Sequence, residues 1–168
     1  MFSVLINLSI LLILAVMSIQ DFKYRAISWY AFPLLAIFLL IANPAFSLKE
    51  SVVNIGFIAI NYALATALIS IKHRRMTNLM KAHIGPGDLL MLLCLAVYFP
   101  ALLFFLFYLS SLIVIAIGTG IYMVWYKPKD YTVPLAGLQS AMLLALILTA
   151  WITGLQISNT SWIENYLL

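Results

Sequence analysis

The sequence predicts an all-α fold, a polytopic bundle of six transmembrane helices. Two observations carry that expectation. Of 168 residues, 65% are hydrophobic and only 8% are charged, against about 25% charged in ordinary soluble domains. Mean hydropathy is +1.12. So little polar surface cannot cover a globule in water, which excludes a soluble enzyme, a disordered chain and a nucleic-acid binder. The second observation is the spacing of the polar breaks, which divides the chain into membrane-length apolar runs.

A helix needs about 20 apolar residues to cross a bilayer. The first run, Phe2 to Ile19, follows no Lys or Arg and so lacks the basic start of a signal peptide. It reads as a retained span, closed by the polar stretch Gln20 to Ser28. The second span is Trp29 to Phe46, with Pro33 near its start and Pro44 near its end, positions that tolerate proline. A small polar loop, Ser47 to Glu50, precedes the third span, Ser51 to Ile71. The polar loop Lys72 to Gly87 follows.

From Leu89 to Trp125 there is no charge, a stretch too long for one span and short for two. Pro100 divides it into a short fourth helix, Asp88 to Phe99, and a long fifth, Ala101 to Tyr126. The fourth is short enough to need cover from protein. The loop Lys127 to Val133 leads into the sixth span, Pro134 to Leu155, and a tail with Asn159, Trp162 and Glu164 suits the membrane interface. No repeat or soluble domain interrupts the chain, so residues 1–168 read as one membrane-embedded domain.

Orientation follows from the cations. The loops after spans one, three and five hold Lys23, Arg25, Lys72, Arg74, Arg75, Lys81, Lys127 and Lys129, and the opposite side only Lys49. The positive-inside rule puts the three basic loops in the cytoplasm and both termini outside. The basic loops also suit contacts with anionic lipid. Cys94 stands alone, so no internal disulfide forms, and no Cys/His group has metal-ligand spacing.

The acids carry the functional signal, because ionisable groups at membrane depth are costly and commonly functional. Glu50, Asp130 and Glu164 read as solvated loop or tail charges. Asp21 closes span one and Asp88 opens span four. These spans run in opposite directions, so both acids reach the cytoplasmic face. Taken singly, either suits a helix end, and Asp88 suits an N-cap. Asp88 also follows Gly85-Pro86-Gly87, and glycines permit the close backbone approach a protease needs around a scissile peptide.

With these residues in view, the chain resembles the prepilin peptidase family, membrane aspartic peptidases with a GxGD motif. Gly85-Pro86-Gly87-Asp88 matches that motif, and Asp21-Phe22-Lys23-Tyr24-Arg25-Ala26-Ile27-Ser28-Trp29 resembles the family's first aspartate with its basic stretch. Val133-Pro134-Leu135-Ala136-Gly137 resembles the proline-containing start of the last helix. Leu90 stands where the family often has lysine, and Ser28 where proline is common. With one cysteine and no cysteine-rich segment, the chain is similar to the short, peptidase-only members. Presenilin-like peptidases share GxGD, but place their aspartates on adjacent helices of a larger bundle.

The resemblance implies catalytic roles for Asp21 and Asp88, and site-shaping or substrate-binding roles for Gly85, Pro86, Gly87 and Pro134. It implies a prepilin-like precursor as partner and the cell's inner (cytoplasmic) membrane as location, in a bacterium or an archaeon. It calls for no cofactor or metal and no nucleic acid, and leaves the oligomeric state open. The two carboxylates would share one proton, the ionised member activating water and the protonated one polarising the scissile carbonyl.

The other polar residues have blander readings. His73 and His83 read as solvated loop residues, with Lys81 and His83 near enough in sequence to tune Asp88. Cys94 reads as packing. Asn54, Asn61 and Ser110-Ser111 can bond between helices, and Gly118-x-Gly120 can permit close helix contact. Tyr108, Tyr122, Trp125 and Tyr126 suit bundle packing or an interface belt. The competing function is a small transporter or pilus-assembly subunit using Asp21 and Asp88 for protons or cations.

Overall fold

The computed structural model describes residues 2–73, 85–126 and 134–154. These residues form six α-helices: α1 Phe2–Tyr24, α2 Ala31–Ala42, α3 Leu48–His73, α4 Pro86–Tyr98, α5 Ala101–Tyr126 and α6 Leu135–Thr153. Among the described residues there is no strand. Helices α1, α3, α5 and α6 are long and apolar enough to cross a membrane. The chain is a multi-pass membrane protein by that measure. Its outer face agrees: Leu12 is 68% exposed, Ile152 76% and Trp125 79%. Lipid is the solvent such side chains suit.

The first three spans differ from the sequence expectation. The second shrinks to the 12 residues of α2, about 18 Å at 1.5 Å per residue, well short of a ~30 Å hydrocarbon core. Asn43 ends it. Its side-chain Oδ1 accepts a hydrogen bond from Ala45 N–H at 3.0 Å, turning the chain before Pro44 reaches the helix. The first span instead runs on past Ile19 to Tyr24, so the polar stretch after it is partly helical. Arg25 then takes φ 53°, and its N–H donates to Asp21 O at 3.0 Å, closing the last turn. Gln20 Oε1 accepts from Ser28 N–H at 3.0 Å and folds the connection back toward α2.

Helix α3 starts earlier than expected, taking Leu48 to Glu50 out of the loop. The break at Pro100 holds, with α4 and α5 on either side. Helix α4 lies inside the bundle, against α2, α3 and α6, whereas α2 packs on α1 and α4 with Ala31, Phe32, Leu35 and Leu39 buried and leaves Leu34, Ile37 and Ile41 exposed on its outer side. The core they share includes Leu14, Met17, Leu35, Leu39, Met91, Leu95 and Leu143. α1 and α6 make the most extensive helix pair.

The far end of α4 stops within the bundle, where its last carbonyls have no helical partner. Side-chain amides supply the donors. Asn54 of α3 donates to Ala96 O at 3.0 Å and Phe99 O at 2.9 Å. Asn43, just past α2, donates to Tyr98 O at 2.9 Å. Non-helical backbone at membrane depth is tolerated where protein covers it, and both asparagines are buried.

Candidate active site

Helix α6 begins without a side-chain cap of its own. Its N-cap is Pro134, which has no side-chain acceptor. The first N–H groups of a helix need acceptors from outside, and two other helices provide them. Asp88 Oδ1 accepts from Ala136 N–H at 2.9 Å. Asp21 Oδ2 accepts from Gly137 N–H at 2.6 Å. The carboxylates that close α1 and open α4 thus sit on successive amides of one helix N-terminus. That end carries about half a positive charge from the helix dipole, a favourable place for an anion. The two acids are close enough for their charges to interact.

Asp88 is held from its own helix as well. It stands three residues into α4 rather than at the N-cap, which is Gly85. From there Asp88 Oδ2 accepts from Gly85 N–H at 3.1 Å. Pro86 opens the helix, a position where its missing N–H costs nothing. Gly87 faces α2: a Cβ there would lie 3.5 Å from Phe32 Cζ. Gly85 is in extended backbone, and a Cβ there would lie 3.4 Å from Asp88 Oδ2. Both are ordinary contacts, so neither glycine is sterically compelled at this site.

The compelled glycine is Gly137, which the sequence reading left out of the site. A Cβ on it would fall 2.7 Å from Asp21 Cβ and 2.8 Å from Asp21 Oδ2. Only a residue without a side chain lets α6 come this near Asp21. A signal was present: glycine in the first turn of a helix lowers helix stability and so often marks a packing requirement. Asp21 itself is 8% exposed, and Ser140, one turn beyond Ala136, is fully buried with its Oγ donating to Ala136 O at 2.7 Å.

A cavity of about 250 Å³ opens beside Asp88, walled by α3, α4, α5 and the first residue of α6. Its lining is apolar apart from Asp88, Asn61, Tyr62 and Tyr108. An edge-to-face cluster of Phe57 on α3 with Phe104, Phe105 and Tyr108 on α5 fixes the two long walls.

The remaining polar residues take structural places. Cys94 is buried and its Sγ lies 3.4 Å from Phe32 O. Asn54 bonds between helices as expected, but Asn61 donates to Phe57 O of its own helix at 2.9 Å. Ser110 and Ser111 donate within α5, and Ser111 Oγ also accepts from Gln139 Nε2 of α6 at 3.5 Å, an interhelical bond as expected. A Cβ on Gly118 or Gly120 would meet nothing within 4 Å, so among the described residues no helix packs closely at these positions. Lys81, His83, Arg74, Arg75, Lys127, Lys129 and Asp130 lie outside the described residues, as do Asn159, Trp162 and Glu164. Among the described residues, His, Cys, Asp and Glu nowhere gather in groups of three that could hold a metal ion.

No protein-family model, curated protein or solved structure matches this chain.

Proposed function

We propose that the protein is a membrane aspartic endopeptidase of the prepilin peptidase type. It cleaves the short cytoplasmic leader from a prepilin-like precursor. The observation that carries this reading is the convergence of Asp21 and Asp88 on the adjacent Ala136 and Gly137 amides, beside an apolar cavity. Two carboxylates on one helix N-terminus make a site that favours one negative charge and resists a second. The proposed reaction uses one of the two carboxyls ionised and the other protonated.

In the proposed reaction the ionised carboxylate removes a proton from a water molecule, and the resulting hydroxide attacks the scissile carbonyl carbon. The protonated carboxyl donates to the carbonyl oxygen as negative charge develops there. Collapse of the tetrahedral intermediate breaks the C–N bond, and the leaving amine takes up a proton from the dyad. The backbone amides of Ala136, Gly137 and Gly85 hold both carboxylates in place at no side-chain entropy cost. The Gly85-Pro86-Gly87 turn and Pro134 set the two helix starts that carry these amides.

The orientation belongs to the same proposal. The bias of basic residues toward the loops after α1, α3 and α5 supports a cytoplasmic site in the inner membrane. The test is co-expression with the prepilin-like precursor encoded nearest to it, read as a gel shift. The wild type shortens the precursor, whereas Asp21→Asn and Asp88→Asn insert normally and leave it whole. Cleavage that persists in either variant overturns the reading.

A further inference from the structure

Four helices share one level at the far end of α4. Asn43, just past α2, and Asn54 of α3 both donate to the last carbonyls of α4, and α5 starts there, just past Pro100. From that level toward Asp21 and Asp88 the helices differ in reach. Helix α2 has 12 residues, about 18 Å. Helix α3 runs from Asn54 to Ile71, the last residue before Lys72, about 26 Å, and α5 from Ala101 to Trp125, about 36 Å. Phe32 near the start of α2 lies against Gly87 near the start of α4. So α2 and α4 stop together beside the carboxylates, whereas α3 and α5 overshoot them by about 8–18 Å.

The side chains at each level mark where lipid ends. At the end of α1 and the turn into α2, Phe22, Tyr24, Trp29 and Tyr30 are exposed together with Lys23. Aromatic rings mixed with cations are the composition of a membrane–water interface. At the other end of α2, Phe46 is exposed beside Pro44. Turns close both ends, Ala31 N–H donating to Ser28 O at 3.0 Å and Phe46 N–H to Asn43 O at 3.4 Å, so neither end adds much length. Between them Leu34, Ile37 and Ile41 face outward. The aromatic ends of α2 are thus only about 20 Å apart, against a ~30 Å hydrocarbon core. Tilting cannot help, because the projection of α2 on the membrane normal is never longer than the helix. Helix α5 makes the opposite demand. Past Leu112, which lines the same cavity as Asp88, Ile113, Ile117 and Ile121 stay exposed and apolar up to Trp125. Such side chains suit hydrocarbon.

We propose that the protein holds the bilayer in a step, thinned to about 20 Å of hydrocarbon beside α2 and restored to ~30 Å beside α3 and α5. The partner is the lipid itself. Bilayers accommodate a short span by thinning, at a modest cost per ångström. Headgroups on the thin side then stand at the level of Asp21 and Asp88, and water reaches the carboxylates there without crossing hydrocarbon. The step is independent of the peptidase reading, and its test uses no cleavage.

Single-tryptophan forms carry the test, with the other tryptophans replaced by phenylalanine. Each is placed in dioleoyl phosphatidylcholine vesicles with nitroxide-labelled lipid, the label on the headgroup or near the chain end. Trp29 alone and Phe46→Trp alone report the two ends of α2, and Trp125 alone reports the end of α5. The headgroup label is expected to quench all three about twofold or more above the chain-end label, as interfacial rings should be. Stronger chain-end quenching of Trp29 or of Phe46→Trp puts that end of α2 inside a bilayer of ordinary thickness and overturns the step. Trp125 quenched by aqueous iodide and by neither lipid also overturns it, because α5 then stands in water above a flat surface. So does the loss of lipid quenching at both ends of α2, which a second copy covering that face would give. If Phe46→Trp does not fold, as its unfolding temperature in detergent reports, Ala45→Trp at the neighbouring exposed position takes its place.

Discussion

Gly137→Ala isolates the geometry of the carboxylate pair from its chemistry. The added methyl would stand 2.7 Å from Asp21 Cβ, 2.8 Å from its Oδ2 and 3.2 Å from its Cγ. Carbon atoms rest at about 3.5–4.0 Å, so α1 and α6 must separate by about 1 Å, or Asp21 must turn away. Either movement stretches the 2.6 Å bond from Gly137 N–H. Overpacking of this kind costs about 1–3 kcal/mol, but alanine returns up to about 1 kcal/mol of helix propensity. The net loss of stability is therefore modest, about 0–2 kcal/mol. Catalysis is more sensitive, because a 1 Å misplacement of a reacting group costs about 100-fold. The expected signature is a ~100-fold fall in precursor cleavage with an unfolding temperature in detergent lowered by only a few degrees. Gly118→Ala is the control, since its Cβ would meet nothing within 4 Å. Cleavage by Gly137→Ala within twofold of wild type would refute the argument that Asp21 depends on this close approach.

Three further outcomes follow from the packing. Asn54→Leu strips the donors from Ala96 O and Phe99 O. It lowers stability by about 1–2 kcal/mol, as bonds between membrane helices generally do, and thermal unfolding in detergent measures it. Gln139→Leu does not lower stability: the Gln139 side chain is buried with no partner on Oε1 and only a 3.5 Å contact from Nε2 to Ser111 Oγ. Ser111 keeps its own bond to Tyr108 O at 2.8 Å, so the change leaves no orphan behind; a fall in unfolding temperature of more than a few degrees would contradict this. Asp88→Asn still offers Oδ1 to Ala136 N–H and gives up only the acceptor of the exposed Gly85 N–H, so it still inserts and folds, judged by protease protection of its loops.

The parts of the fold that were legible came from features that act locally. Charge-free length gave the long helices, and Pro100, which cannot continue a helix, gave the boundary between α4 and α5. Asp21 and Asp88 stood out because an acid beside apolar runs is expensive wherever it ends up. Long-range relations were not legible. The shortness of α2 depends on Asn43 turning the chain while it caps Tyr98 of a helix far along the sequence. Gly137 gains its importance only from Asp21, which no local pattern connects to it. Asn61 and Asn54 look alike in sequence, yet only Asn54 faces the end of α4.

The central claim is that Asp21 and Asp88 work as one unit at the start of α6. A cycle of Asp21→Asn, Asp88→Asn and the double variant, all inserted at wild-type levels, measures it on precursor cleavage. Residues that act as a unit are not additive: removing one costs about as much as removing both. The account predicts that each single variant is as inactive as the double. A single variant that retains substantial cleavage, with a further loss when the second aspartate is replaced, would contradict it.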